Sequence, residues 1–276
     1  MKISFIGGGN MATALVAGLA GKVTQAADIH VVDPNAEALD RLRAQYGVTT
    51  APGIGAEVAA SEVIVLAVKP QQMRDVALSL QTELQSQLDA RPLVVSIAAG
   101  IRGTDLSRWL GGYGAIVRSM PNTPALIGQG ITGMVAMAGV SEAQKAAADS
   151  ILRAVGKTVW LDDEAQIDAV TAVSGSGPAY VFYFLEAMQE AARAMGLNAE
   201  QGRELATATF TGAAQLAAQS DEPVDVLRQR VTSKGGTTHA AITSMEAAGV
   251  KQAIVDAMKA AAARGRELGA ELGKDA

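Results

Sequence analysis

Up to Leu161, short apolar runs alternate with segments in which apolar residues recur every three or four positions. The runs Ile3–Ile6, Ile29–Val32, Val63–Val68, Leu93–Ile97, Ala115–Arg118, Thr132–Met137 and Thr158–Leu161 read as strands. Several are apolar at consecutive positions, the mark of parallel strands covered on both faces. Between them, Ala36–Tyr46, Gln72–Leu80 and Glu142–Val155 carry helical spacing. This alternation predicts an α/β fold, a doubly wound parallel sheet.

After Asp162-Asp163 the texture changes, and helical pattern with sparse breakers runs onward from Glu164. Pro178 suits the first turn of a helix running to about Met195, with Gly196 ending it. Further helices are predicted over Ala199–Gln219, Pro223–Val231, Thr238–Ala248 and Val250–Leu272. In the last, Val250, Ile254, Ala257, Ala261, Leu268 and Leu272 fall mainly on one face. The expected division is an α/β domain over 1–163 and an all-helical domain over 164–276. The helical half is rich in Ala and Gly, which permit close helix approach. It is either a self-sufficient bundle or one whose core a second copy completes.

Composition narrows the function classes. The net charge of −5 over 276 residues, with no basic run, argues against nucleic-acid binding. Cysteine is absent, which removes disulfides, thiolate nucleophiles and zinc ribbons and fits a cytoplasmic setting. Met1–Ile6 is too short an apolar run for a signal peptide, and no run approaches a membrane span. No metal-ligand cluster is evident.

Candidate chemistry begins at Ile6-Gly7-Gly8-Gly9-Asn10-Met11-Ala12, a G-x-G-x-x-A between a strand and a helix. The first glycine makes the tight turn, the second admits a pyrophosphate to the backbone amides, and Ala12 lets the helix pack on the sheet. Asp33, at the end of the next strand, can accept from a ribose 2′-OH and repel a 2′-phosphate, or it can simply cap the turn before Pro34-Asn35. The pattern is that of a Rossmann domain binding NADH or NADPH. Ala67-Val68-Lys69-Pro70, Ile97-Ala98-Ala99 and Met120-Pro121-Asn122-Thr123-Pro124 also follow strands, where such sheets bind ligands. Lys69 is either a phosphate or ribose contact or an ordinary surface lysine.

Two later turns stand out. Ser174-Gly175-Ser176-Gly177-Pro178 is either a helix cap or a pocket wall. Ser233-Lys234-Gly235-Gly236-Thr237-Thr238 joins glycines that let a backbone crowd a ligand to hydroxyls at a helix start, where a small anion can be held.

These motifs occur in the order found in the pyrroline-5-carboxylate reductase family, which the chain resembles from end to end. The resemblance implies NAD(P)H-dependent reduction of Δ1-pyrroline-5-carboxylate to proline, the last step of proline biosynthesis. It implies a homodimer or a ring of dimers, with each pocket shared across the interface. It carries the family's cofactor contacts onto Gly7 through Met11, Ala67–Pro70 and Ile97–Ala99. Its substrate turn falls on Ser233, Gly235, Gly236, Thr237 and Thr238. The imine nitrogen must gain or already hold a proton, and the Thr238 hydroxyl is the group expected beside it, either donating or relaying that proton or mainly orienting the ring. His239 is a more acidic neighbour but points about 100° away around the helix. Lys234 stands where many members have proline, and Asp33 where NADPH users commonly have a neutral or hydroxyl residue. Two rivals remain on the residues: a β-hydroxyacid dehydrogenase, which would want a helix lysine where Pro178–Tyr183 has none, and a non-catalytic NAD(P) sensor, which would need no Ser233–Thr238 loop.

Overall fold

The computed structural model describes residues 1–85 and 91–274. Its eight strands are β1 (Ile3–Ile6), β2 (Ile29–Val32), β3 (Thr49–Ala51), β4 (Val63–Leu66), β5 (Leu93–Ser96), β6 (Ile116–Met120), β7 (Gly130–Ala136) and β8 (Gly156–Trp160). They form one sheet in the order β3-β2-β1-β4-β5-β6-β7-β8. Six helices punctuate it: α1 (Asn10–Leu19), α2 (Ala36–Tyr46), α3 (Ala56–Ala59), α4 (Met73–Gln85), α5 (Gly103–Trp109) and α6 (Glu142–Arg153).

The two-sided apolar strands sort their residues by parity. Ile3, Phe5, Val63, Val65, Leu93 and Val95 enter one core with Leu15 and Leu19 of α1, Leu39 of α2 and Ile151 of α6. Ile6, Ile64, Leu66 and Val94 enter the other, with Met73, Ala77 and Leu80 of α4 and Trp109 of α5. Alternate side chains on a strand point to opposite faces, so a run apolar at every position needs a helical layer on each side. Ser4 is the exception in β1, and its buried hydroxyl is satisfied by Ser61 at 2.7 Å.

The sheet departs from the all-parallel expectation at one place. β1 through β6 pair in parallel, but β7 lies antiparallel to β6, with Met120 opposite Gly133, and β8 then follows β7 in parallel. Only a 3₁₀ turn over Thr123–Ile127 lies between β6 and β7. A parallel crossover needs a dozen or more residues, so this link returns the chain antiparallel. β3, absent from the pattern, is a three-residue edge strand beside β2.

Beyond the sheet come α7 (Gln166–Val170), a π-turn over Thr171–Gly175, α8 (Gly177–Ala194), α9 (Ala199–Gln219), α10 (Val224–Arg230), α11 (Thr237–Ala247) and α12 (Val250–Leu272). Asn198 and Gln201 form a capping box that starts α9, and Gly196, at φ 94°, ends the preceding turn.

The compact units do not coincide with the change of texture at residue 163. One comprises 1–176 together with 261–276, and the other 177–260. The early boundary is crossed because Ile167 and Ala172 are buried, and an added Cβ on Gly133 of β7 would meet Val170 at 2.7 Å. The C-terminal half of α12 belongs to the sheet-bearing unit, where Gly265 and Gly269 are buried.

Candidate active site

The chain runs β1–α1–β2 to one side of β1 and then returns to place β4 on the other side. Open α/β sheets bind ligands at such a switch point, outside the carboxyl ends of the strands. Gly7 sits there at φ 105°, and a Cβ on it would lie 2.6 Å from the Ala67 carbonyl oxygen. Its amide donates to Val32 O at 2.8 Å, while the Ala67 amide donates to Ile6 O at 2.8 Å. Gly7 is therefore fixed by both conformation and space.

The Gly8 amide donates to Asp33 Oδ2 at 2.7 Å, and the Asn35 amide to Asp33 Oδ1 at 2.8 Å. Asp33 thus ties the glycine turn to the end of β2 while holding its own turn. Gly9 is the extended N-cap of α1; a Cβ there would meet nothing within 4 Å, and no side chain caps the helix. The first amides of α1, at Asn10 and Met11, open beside this bare glycine, an arrangement that fits a pyrophosphate. Ala12 is buried against the sheet.

The remaining predicted cofactor residues follow neighbouring strands of the same unit. Ala67, Val68, Lys69 and Pro70 leave β4, with Lys69 exposed at the head of a 3₁₀ turn. Ile97, Ala98 and Ala99 leave β5, and Gly100 turns the chain at φ 73°. All of these continue β1, β4 and β5, which are adjacent in the sheet.

Asn122 has a structural task. Its Nδ2 donates to Ser174 O at 3.2 Å and its Oδ1 accepts from the Ile131 amide at 3.0 Å. It thereby latches the π-turn to the head of β7. Within that turn the Ser174 hydroxyl bonds back to Val170 O, and Gly175 leaves room for Met120, whose Cε would lie 2.6 Å from an added Cβ. A second anchor, the pair of Arg118 and Glu164, has no signature in the sequence. Arg118, 4% exposed in β6, meets Glu164 Oε1 at 3.0 Å, and the same oxygen accepts the Gly103 amide at 2.5 Å. Partners so far apart along the chain leave no local signal.

The hydroxyl-bearing loop belongs to the other unit, between α10 and α11. Gly235 takes φ 77°, Gly236 is the extended N-cap of α11, and no side chain caps that helix. The Gly236 amide donates to Ser233 O at 3.0 Å, closing the turn. Ser233, Gly235, Thr237 and Thr238 are exposed. The loop thus presents hydroxyls and the leading amides of a three-turn helix on its own surface.

Comparison with known proteins gives these loops a context. Residues 164–268 match the family model for pyrroline-5-carboxylate reductase dimerisation, and residues 2–100 match that for NADP oxidoreductase, coenzyme F420-dependent. The pyrroline-5-carboxylate reductase of Pseudomonas aeruginosa is 46% identical over 273 residues, spanning 99% of this chain and 98% of the relative. The chain belongs to the pyrroline-5-carboxylate reductase family. Among solved reductases, that of Coxiella burnetii superposes with a TM-score of 0.90 at 40% identity, covering 97% of this chain and 98% of its own. The Plasmodium falciparum pyrroline carboxylate reductase, solved with NADP bound, gives 0.85 at 28% identity, with 98% of each chain covered. The reductase fold therefore extends through both units, and the helical region carries the family's dimerisation domain.

Proposed function

We propose residue roles for the reaction this reductase carries out, the NAD(P)H-dependent reduction of Δ1-pyrroline-5-carboxylate to L-proline, the last step of proline biosynthesis. Bound NAD(P)H supplies the hydride that the imine carbon receives. Gly7, Gly8 and Gly9 shape the turn that receives its pyrophosphate, the Asn10 and Met11 amides hold it, Asp33 meets its adenosine ribose, and Ala67–Pro70 and Ile97–Ala99 border it. The substrate carboxylate binds the leading amides of α11, at Thr237 and Thr238, with Ser233 adding a hydroxyl and Gly235 and Gly236 shaping the turn. Thr238 stands beside the imine nitrogen, where its hydroxyl orients the ring and donates or relays the proton that nitrogen requires.

The observation that carries this reading is the loop at Gly236. A helix start without a side-chain cap, flanked by exposed hydroxyls, is suited to a small carboxylate. A cofactor sensor has no use for it. Consumption of NADH and NADPH with the cyclic imine is the test, and a chain that binds cofactor but leaves the imine unreduced would fail it.

Either nucleotide is consistent with the loop. The NADP-type model over 2–100 and the NADP-bound relative favour a 2′-phosphate, whereas the Asp33 carboxylate favours a free 2′-hydroxyl. The assembly we propose is a homodimer or a ring of dimers, in the cytoplasm. Among the described residues no helix is long and apolar enough to cross a membrane, and the chain has no cysteine.

A further inference from the structure

The last turns of α12 lie behind a cofactor segment. Gly100 follows Ile97-Ala98-Ala99 directly, is buried, and takes φ 73°. A Cβ on Gly100 would meet Leu268 Cβ at 3.4 Å, the Gly269 nitrogen at 3.7 Å and Leu272 Cδ1 at 3.7 Å. The contact is reciprocal, because a Cβ on Gly269 would lie 3.1 Å from the Gly100 carbonyl oxygen. The two glycines therefore let the backbones approach closely, with Leu268 at Gly100 and Arg102, whose Nε would lie 3.4 Å from a Cβ on Gly269, beside the contact.

Two further contacts hold α12 there. Leu272 packs into the core cluster that contains Ala98, Ile101 and Leu106. Arg108 of α5 donates to the Gly273 carbonyl at 2.7 Å and pairs with Asp105 at 2.8 Å. α12 thus grips both the turn after β5 and the helix that follows it. Close packing transmits displacement, so a side chain wedged at Gly269 must move the Gly100 turn or the helix.

We propose that Gly269 is a positioning residue for the cofactor, acting through Gly100 to hold Ile97–Ala99 at the height the nicotinamide nucleotide requires. The proposal rests on the reading of Ile97–Ala99 as cofactor contacts. Gly265 is its internal comparator. It too is buried on α12, but it faces Asp168 rather than the turn, and a Cβ added to it would lie 3.3 Å from Asp168 Oδ1.

The experiment measures KM for NADH and NADPH, KM for the imine, and cofactor affinity by nucleotide fluorescence. Gly269→Ala and Gly269→Val should raise the cofactor KM in a graded way, to about tenfold for valine, since small misplacements of positioning groups cost that much. The imine KM should stay within about twofold, and Gly265→Ala should leave both constants unchanged. Where a Gly269 variant fails to fold, Leu272→Ala, which loosens the same contact, should weaken cofactor binding alone. Ala99→Asp tests the underlying reading. If it weakens cofactor binding while folded Gly269 and Leu272 variants do not, the brace is overturned and the cofactor segment stands. If Ala99→Asp has no effect either, the segment's assignment falls and the brace falls with it. A Gly265→Ala effect equal to that of Gly269→Ala would also overturn the proposal, by reducing it to general helix packing.

Discussion

Two residues carry opposite kinds of prediction. Thr238 is exposed, and its side chain takes no part in capping α11. Thr238→Ala should therefore lower kcat about tenfold or more with an unchanged melting temperature. Equal turnover in the variant would remove the proposed role. Asp33 is embedded in its turn through both carboxylate oxygens. Asp33→Ser should shift the kcat/KM ratio toward NADPH and also lower stability, by about 1–3 kcal/mol for the lost charge-assisted bonds. A changed melting temperature with an unaltered nucleotide ratio would make Asp33 a turn residue only. At this scale the sequence was informative where a residue type has one physical use. Gly7 could be placed from its motif because only glycine tolerates that φ and that approach to Ala67. Asp33 and Asn122 could not be assigned so fully, because their partners, Gly8 and Ser174, are neighbours only after folding.

Among elements, length and two-sided burial decided what could be read. Ala199–Gln219 and Val250–Leu272 were legible to the residue, being long and bounded by Asn198 and Gly249. β3 was not, because three residues of mixed exposure carry no period. It is held instead by register: His30 of β2 lies opposite Thr49, and His30 Nδ1 is 2.9 Å from Thr49 Oγ1. Burial lowers the His30 pKa below its ordinary value of 6.5, and the Glu57 carboxylate offsets only part of that. The fold thus favours neutral imidazole. Its contribution is present above the unfolded value and is lost as pH falls through 6.5 toward the lower folded one. Thermal melts should show stability declining as pH falls below 6.5, with a shallower decline in His30→Asn. Identical slopes would show that other groups set the acid limb. The direction of β7 was hidden for a different reason, since strand patterns report burial and not polarity of the chain.

For the whole molecule, the helical unit leaves much apolar surface uncovered within one chain. Tyr183 is 73% exposed, Val224 70%, Leu216 60% and Leu205 56%. Patches of this kind mark protein–protein contact, in agreement with the dimerisation domain matched over 164–268. Leu205 and Leu216, eleven positions apart in α9, share one face at about 3.6 residues per turn. Leu205→Glu combined with Leu216→Glu should convert the proposed dimer to monomer in light scattering; a variant whose assembly is unchanged would place the interface on other helices. The helical texture of this region was plain in the sequence, but its packing division was not, because α12 shows one uninterrupted period while serving two units. That sharing has a bearing on how the protein is made. Residues 261–274 leave the ribosome only after all of 177–260, yet they complete the unit that contains the first strand. The nucleotide-binding unit therefore gains the helix turns that lie against its β5 turn only after residues 177–260 have been made.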